Sequence, residues 1–158
     1  MDYLNKIKNK MEYIEEIMPN LGNKLEDYKL EDYEIEDMGC PHGQPKKLPS
    51  GHSAIYIFIY KDKVLKIGKA NSNSEARFTS QHYGLNAKST LAKSLCNDED
   101  FNPLINECGG INKYNLKQWM LKNLQRINIY LEPDKAKTEL VEAILHYAFR
   151  PRFEGNIH

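Results

Sequence analysis

The chain has 158 residues, enough for one compact domain with a short appendage but not for a second full domain. It has no apolar run long enough to span a membrane, and its opening MDYLNKIKNKM is too charged for a secretory signal, so the cytoplasm is the expected location. Its net charge of zero hides a split: residues 1–38 hold eleven acids and five lysines, whereas residues 39–158 hold eleven acids and seventeen Lys or Arg, an asymmetry that points to polyanion binding by the larger part. Cys40, Cys96 and Cys108 are odd in number and irregularly spaced, which predicts free thiols, and Cys40-Pro41-His42 lacks the paired spacing of a zinc knuckle.

From Tyr3 to Met18, the residues Leu4, Ile7, Met11, Ile14 and Met18 recur every three or four positions and predict an amphipathic helix ending near Pro19. In the acidic stretch that follows, Leu25-Glu26-Asp27-Tyr28 is echoed by Leu30-Glu31-Asp32-Tyr33, a local duplication far shorter than solenoid periods of ~20 residues or more. Pro41, Gly43, Pro45, Pro49 and Gly51 then mark residues 39–52 as loop or linker and put the start of the domain proper near His52.

Two strands are predicted next. Ile55, Ile57 and Ile59 alternate with Tyr56, Phe58 and Tyr60, and Leu65 and Ile67 alternate with Val64, Lys66 and Gly68. If the aliphatic sets share one face of an antiparallel pair, opposed positions must sum to an even number. That parity excludes a two-residue loop at Lys61-Asp62 and favours a three-residue one, and it groups Tyr56, Phe58, Tyr60, Lys66 and Gly68 on the second face. Asn73 or Ser74 can cap a helix through Ala76, Arg77, Phe78 and Gln81 that stops near Gly84. Short helices over residues 89–96 and 115–123, a third strand over residues 126–131, and a helix from Pro133 through Phe149 complete the pattern. The last helix has Leu140, Val141, Ile144, Leu145 and Ala148 as its apolar stripe, with Glu142 beside it. The expected fold is α/β of the α+β kind: a small, mostly antiparallel three-stranded sheet flanked by helices, with a helix, acidic segment and linker over residues 1–51 and the functional domain over residues 52–158.

Within that domain Ala54-Ile55-Tyr56 lies on one predicted strand and Lys66-Ile67-Gly68 on the next. Arg77 follows on a helix, with His82 and Tyr83 about one turn later, and Glu142 sits on the late helix ahead of Pro151-Arg152-Phe153. In this order, residues 52–158 resemble a GIY-YIG nuclease domain. The departures are alanine for the first glycine, Lys66 for the second tyrosine, and Glu154 where the family has asparagine, with Asn156 two residues on.

The resemblance implies a Mg2+- or Mn2+-dependent endonuclease acting on DNA, with Tyr56 as general base, Arg77 as phosphate clamp and Glu142 as metal ligand. These residue types suit the chemistry. Phosphodiester hydrolysis needs a deprotonated water, positive charge at the phosphoryl oxygens and stabilisation of the departing oxygen. A guanidinium can fork two phosphoryl oxygens, and one carboxylate suffices for a Mg2+ that keeps most of its waters. A phenol with a pKa near ~10 is a poor base at neutral pH, so the expected register makes Lys66 the candidate cation that activates Tyr56.

His82 ranks ahead of Tyr83 as an auxiliary phosphate donor or proton shuttle. Gly68 is expected to permit a close backbone approach, and Lys69 and Lys88, with Lys61, Lys63 and Lys93 nearby, are candidate contacts to the DNA backbone. Glu154 could be a second metal ligand in place of the displaced asparagine or pair with Arg150 or Arg152, and His146, one turn beyond Glu142, could approach a metal but is more often packed or solvated as a lone helix histidine. A homodimer is expected if the cuts are double-stranded and palindromic. The alternatives are a nucleic-acid-binding module on the same fold without hydrolysis, and an acidic arm that covers the basic face. Gly68-Lys69-Ala70 lacks the glycine and Ser/Thr of a phosphate-binding P-loop, and no Gly-x-Ser-x-Gly elbow exists.

Overall fold

A computed structural model describes residues 2–22, 30, 32–86, 90–107, 109 and 112–153. Its centre is a four-stranded antiparallel sheet in the order β1-β4-β2-β3, formed by β1 (Glu34–Gly39), β2 (Ser53–Tyr60), β3 (Lys63–Ala70) and β4 (Gln125–Leu131). The sheet has one strand more than the sequence pattern predicts. The extra strand comes from the acidic segment: β1 is an edge strand with mostly exposed side chains, so its sequence carries no clean apolar alternation.

Among the described residues the α-helices are α1 (Tyr3–Ile17), α2 (Glu75–Thr79), α3 (Leu91–Asn97), α4 (Phe101–Asn106), α5 (Lys113–Asn123) and α6 (Lys135–Phe149). Asp2 caps α1 by accepting from the Asn5 amide, and Asp134 caps α6 by accepting from the Lys137 amide. Among the described residues no helix is long and apolar enough to cross a membrane.

Both faces of the sheet are covered. On one, Ile55, Ile57, Ile59, Val64, Ile67, Ile127, Ile129 and Leu131 pack against Ile7, Met11 and Ile14 of α1 and Val141 and Leu145 of α6. Fully burying such an aliphatic side chain stabilises by ~2 kcal/mol. The N-terminal helix is therefore part of the central core, and β1 is part of the sheet. Helix α1 and strand β1 are thus not an arm ahead of a domain that starts near His52. The expected stripe of α6 holds for Val141 and Leu145, which are buried, and for Leu140 and Ile144, which are partly buried against the same core; Ala148 is exposed, and Thr138 is buried in addition.

The other face lies under α2–α5, whose Phe78, Leu91, Leu95, Phe101, Ile105, Leu116, Trp119 and Met120 join Ala54, Tyr56, Phe58 and Leu65 in a second core. The β2–β3 pairing keeps the expected even parity from Ala54↔Ala70 to Phe58↔Lys66, then shifts by one to Ile59↔Val64 and Tyr60↔Lys63. The turn is thus the two-residue Lys61-Asp62 that parity excluded, with Lys61 in the left-handed region at φ +52°. A bulge at Leu65 absorbs the extra residue, putting Val64 on the aliphatic face and Leu65 on the opposite one. Beyond α6, the amides of Arg152 and Phe153 donate to the carbonyls of Val64 and Leu65, 3.0 and 2.8 Å away, and cover this end of β3.

Candidate active site

Two cross-strand rows on the α2–α5 face carry the polar side chains. Register aligns Glu36, Asn128, Tyr56 and Gly68 in one row, and Arg126, Phe58 and Lys66 in the next. Tyr56 is directly opposite Gly68, and its ring lies on the glycine: a Cβ there would be 2.5 Å from the Tyr56 hydroxyl and 2.6 Å from Cε2 and Cζ. Glycine is needed at this position because no side chain has room under the ring.

The Tyr56 hydroxyl lies 2.6 Å from His82 Nε2. The predicted helix over residues 73–84 is broken: α2 ends at Thr79, and a 3-10 turn, Gln81–Tyr83, rotates His82 and Tyr83 inward until both are buried. Burial first, then the charges of Lys66, Arg126 and Arg77, lower the His82 pKa to about 3, so the ring is neutral at ordinary pH. Its Nδ1 is buried and has no hydrogen-bond partner. Burial raises the Tyr56 phenol well above its usual range; Arg77 and Arg126 favour the phenolate, and Glu142 opposes it.

Lys66 shares the face with Tyr56, as expected, but it lies opposite Phe58, and the cations acting on the phenol are Arg77 and Arg126. Burial, then Arg77, lowers the Lys66 pKa, and the charge of Lys66 bears on His82. Arg126, which sequence reasoning missed, is one of the two guanidinium groups that favour the phenolate.

Arg126 is wholly buried, and its guanidinium lies within 4.7–5.9 Å of the ring centres of Phe78, Phe58, Tyr56 and Tyr83. It donates to the Phe78 carbonyl at 2.7 Å, Asn128 Oδ1 at 2.9 Å and the Tyr83 hydroxyl at 3.1 Å. Asn128 in turn donates to Glu36 on β1, as does Tyr130. His42 closes the network. Its Nδ1 lies 2.6 Å from the Leu124 carbonyl, which can only accept, so Nδ1 carries the proton and Nε2 accepts from the Tyr83 hydroxyl at 2.8 Å. Both His42 nitrogens are committed, which removes His42 as a zinc ligand. The Tyr83 hydroxyl is spent between His42 and Arg126, which removes the substrate contact expected of it. An alternating Arg126 and Asn128 within RINIYL was the available signal, but nothing in the sequence says that this strand lies between β1 and β2.

Arg77 is exposed and, among the described residues, makes no ion pair. Glu142 is largely buried, and its Oε2 is 2.6 Å from the Lys69 ammonium, so Lys69 pairs with the candidate ligand and is not a free backbone contact. His146 Nε2 lies 3.9 Å from Glu142 Oε1 but donates to the Ile67 carbonyl at 3.0 Å, so that nitrogen is unavailable to a metal. Among the described residues no three His, Cys, Asp or Glu side chains cluster as metal ligands. The donor set fits a hydrated cation at Glu142 Oε1, with one carboxylate from the protein and the rest from water. Arg152 forks to Asp98 and Asp100. Lys88, Glu154 and Asn156 lie outside the described residues.

Tyr56, Gly68 and His82 are therefore in contact near the middle of β2 and β3, with Arg77 and Lys66 within electrostatic reach, and Glu142 and Lys69 pair just across the sheet. No family model matches the sequence, and no curated protein or solved structure matches it.

Proposed function

We propose that this chain is a divalent-metal-dependent endonuclease that hydrolyses DNA phosphodiester bonds, as its resemblance to the GIY-YIG nucleases implies. The supporting observation is the Tyr56–Gly68 pair: the tyrosine of the first triplet lies flat on the glycine of the second, its hydroxyl bonded to His82 and within electrostatic reach of Arg77 and Glu142. Two loosely matching triplets alone do not require that contact.

In this reading Glu142 holds one Mg2+ or Mn2+, which when bound supplies an acidified water and positive charge at the phosphoryl oxygens. Arg77, exposed and unpaired with any described acid, forks the phosphodiester. The Tyr56 oxygen takes a proton from the attacking water while its own proton passes to His82 Nε2, 2.6 Å away. Burial and three cations keep that imidazole neutral, and a bound phosphate offsets those cations. Lys66 contributes positive charge beside His82. A homodimer would place two such sites on opposite strands of a palindrome. The place of action is the cytoplasm, in keeping with free Cys40 and Cys96.

Plasmid, single-stranded DNA and RNA incubated with Mg2+ test the proposal: metal-dependent DNA cleavage that Glu142→Ala abolishes is the expected result. The ion pair on Glu142 Oε2 favours a second reading, a nucleic-acid-binding module without hydrolysis, in which Lys69 stands permanently where a metal would. Binding without cleavage under the same conditions would establish it.

A further inference from the structure

A pocket beside the turn that carries His82 is not part of the proposed reaction centre. It has a volume of about 470 Å3 and is lined by Gln44, Ser80, Gln81, Tyr83, Gly84, Asn86 and Lys117. Gln81 neighbours His82 on the turn that follows Arg77, so the pocket adjoins the phosphate clamp through a few residues of chain. The opposite walls are Gln44, from the loop between β1 and β2, and Lys117, on α5.

Among the described residues, none that lines the pocket is acidic. The carboxamides of Gln44, Gln81 and Asn86 make no hydrogen bond within the described chain, and the Lys117 ammonium makes no ion pair there. Three unspent carboxamides, each with a donor and an acceptor, converge with one ammonium on a single cavity. The walls are braced from beneath. The Tyr83 hydroxyl is held between Arg126 and His42, the His42 amide donates to the Leu121 carbonyl at the end of α5, and Pro45 and Leu48 bury the loop beyond Gln44. A carboxamide offers the paired donor and acceptor that match an adenine edge, and an ammonium suits guanine or a phosphate. Side chains on fixed backbone can discriminate between bases, whereas solvated loop amides on mobile backbone cannot.

We infer that this pocket is a base-reading subsite: Gln44, Gln81 and Asn86 hydrogen-bond the edge of one or two nucleobases next to the phosphodiester held by Arg77, and Lys117 anchors the adjoining strand. The inference rests on the proposed action on DNA and adds sequence preference to it.

The test is selection by binding, which does not need cleavage. The full chain carrying Glu142→Gln is used to enrich bound molecules from a random duplex DNA library without metal, alongside the same chain with Gln81→Ala, Gln44→Ala, Asn86→Ala or Lys117→Ala added. The parent should enrich a short motif. Each carboxamide variant should lose about tenfold in discrimination at one or two adjacent positions, while Lys117→Ala weakens all sequences alike. Gln81 and Asn86 are exposed, so their truncation leaves the fold intact, and the thermal midpoint of each variant checks this. DNA binding with no enriched motif, or a motif unchanged in the carboxamide variants, overturns the subsite and leaves the nuclease reading standing. No binding of DNA overturns both.

Discussion

The two faces of the sheet are built from alternate residues of the same strands and have opposite characters. One holds mainly isoleucine, valine and leucine against α1 and α6, with its few polar groups, such as the hydroxyls of Tyr3 and Thr138, bonded to nearby carbonyls. The other buries Arg126, Asn128, Lys66, His82 and the Tyr56 hydroxyl among aromatic rings, each group held by register and by hydrogen bonds between distant chain segments. The aliphatic face can be argued from area alone, because apolar burial is non-directional and tolerates exchange of like for like. The polar face cannot, since a buried charge is tolerable only while every partner is in place. Burying these groups costs more than burying aliphatic side chains would, so the polar face is the one whose integrity depends on every hydrogen bond.

Truncating the chemistry should separate the faces most sharply. Tyr56→Phe keeps the ring on Gly68 and removes only the hydroxyl, so cleavage should fall by about 10^2–10^4-fold while the thermal midpoint shifts little. Equal cleavage by both proteins would remove Tyr56 from the mechanism. Arg126→Met comes next, with a stability loss of ~3–5 kcal/mol in urea denaturation, because the Tyr83 hydroxyl, Asn128 Oδ1 and the Phe78 carbonyl all lose their donor. Ile57→Val on the aliphatic face should cost only ~0.5–1.5 kcal/mol.

Acid should act on the polar face alone. The His82 pKa is about 3 in the folded chain against 6.5 for a free ring, so below 6.5 the unfolded state takes up a proton that the folded state refuses. Stability is thus fully present above pH 6.5 and falls by ~1.4 kcal/mol per pH unit as pH drops toward 3. His42, lowered mainly by its burial, adds a slope of the same sign. Urea midpoints measured between pH 7 and pH 4 should show the slope reduced in His82→Phe. Gly68→Ala should cost ~1–3 kcal/mol and depress cleavage, because the new methyl displaces the Tyr56 ring. Unaltered stability and rate would show that the ring has somewhere else to go. The smallest effect belongs to Lys69→Ala: its partly exposed pair with Glu142 contributes under ~1 kcal/mol, so stability hardly changes. Cleavage should respond more than stability does, since Glu142 loses a competing cation.

The placement of β1 also bears on the acidic segment. A segment that covered the basic face as a removable shield could be deleted at no cost, but residues 1–39 supply an edge strand and one wall of the aliphatic core. Deleting them exposes that core.

Strong periodicity made α1, β2, β4 and α6 legible, because alternation and helical spacing record which side of an element is buried. The same alternation groups Tyr56, Lys66 and Gly68 on one face, and the observed register keeps them there. Edge strand β1 and short helix α4 left no such record, being respectively too exposed and too brief. Periodicity also could not reveal the bulge at Leu65, since one inserted residue changes parity without changing composition. The sequence by itself determined which face of the hairpin carries Tyr56, Lys66 and Gly68, and which side chains are available to a site. Only the tertiary structure decided that Arg126 and Arg77 lie close enough to bear on Tyr56, that Lys69 engages Glu142, and that Tyr83 faces inward. Those outcomes depend on which strands are neighbours and on where a helix breaks, and both are set by long-range packing that no local pattern encodes.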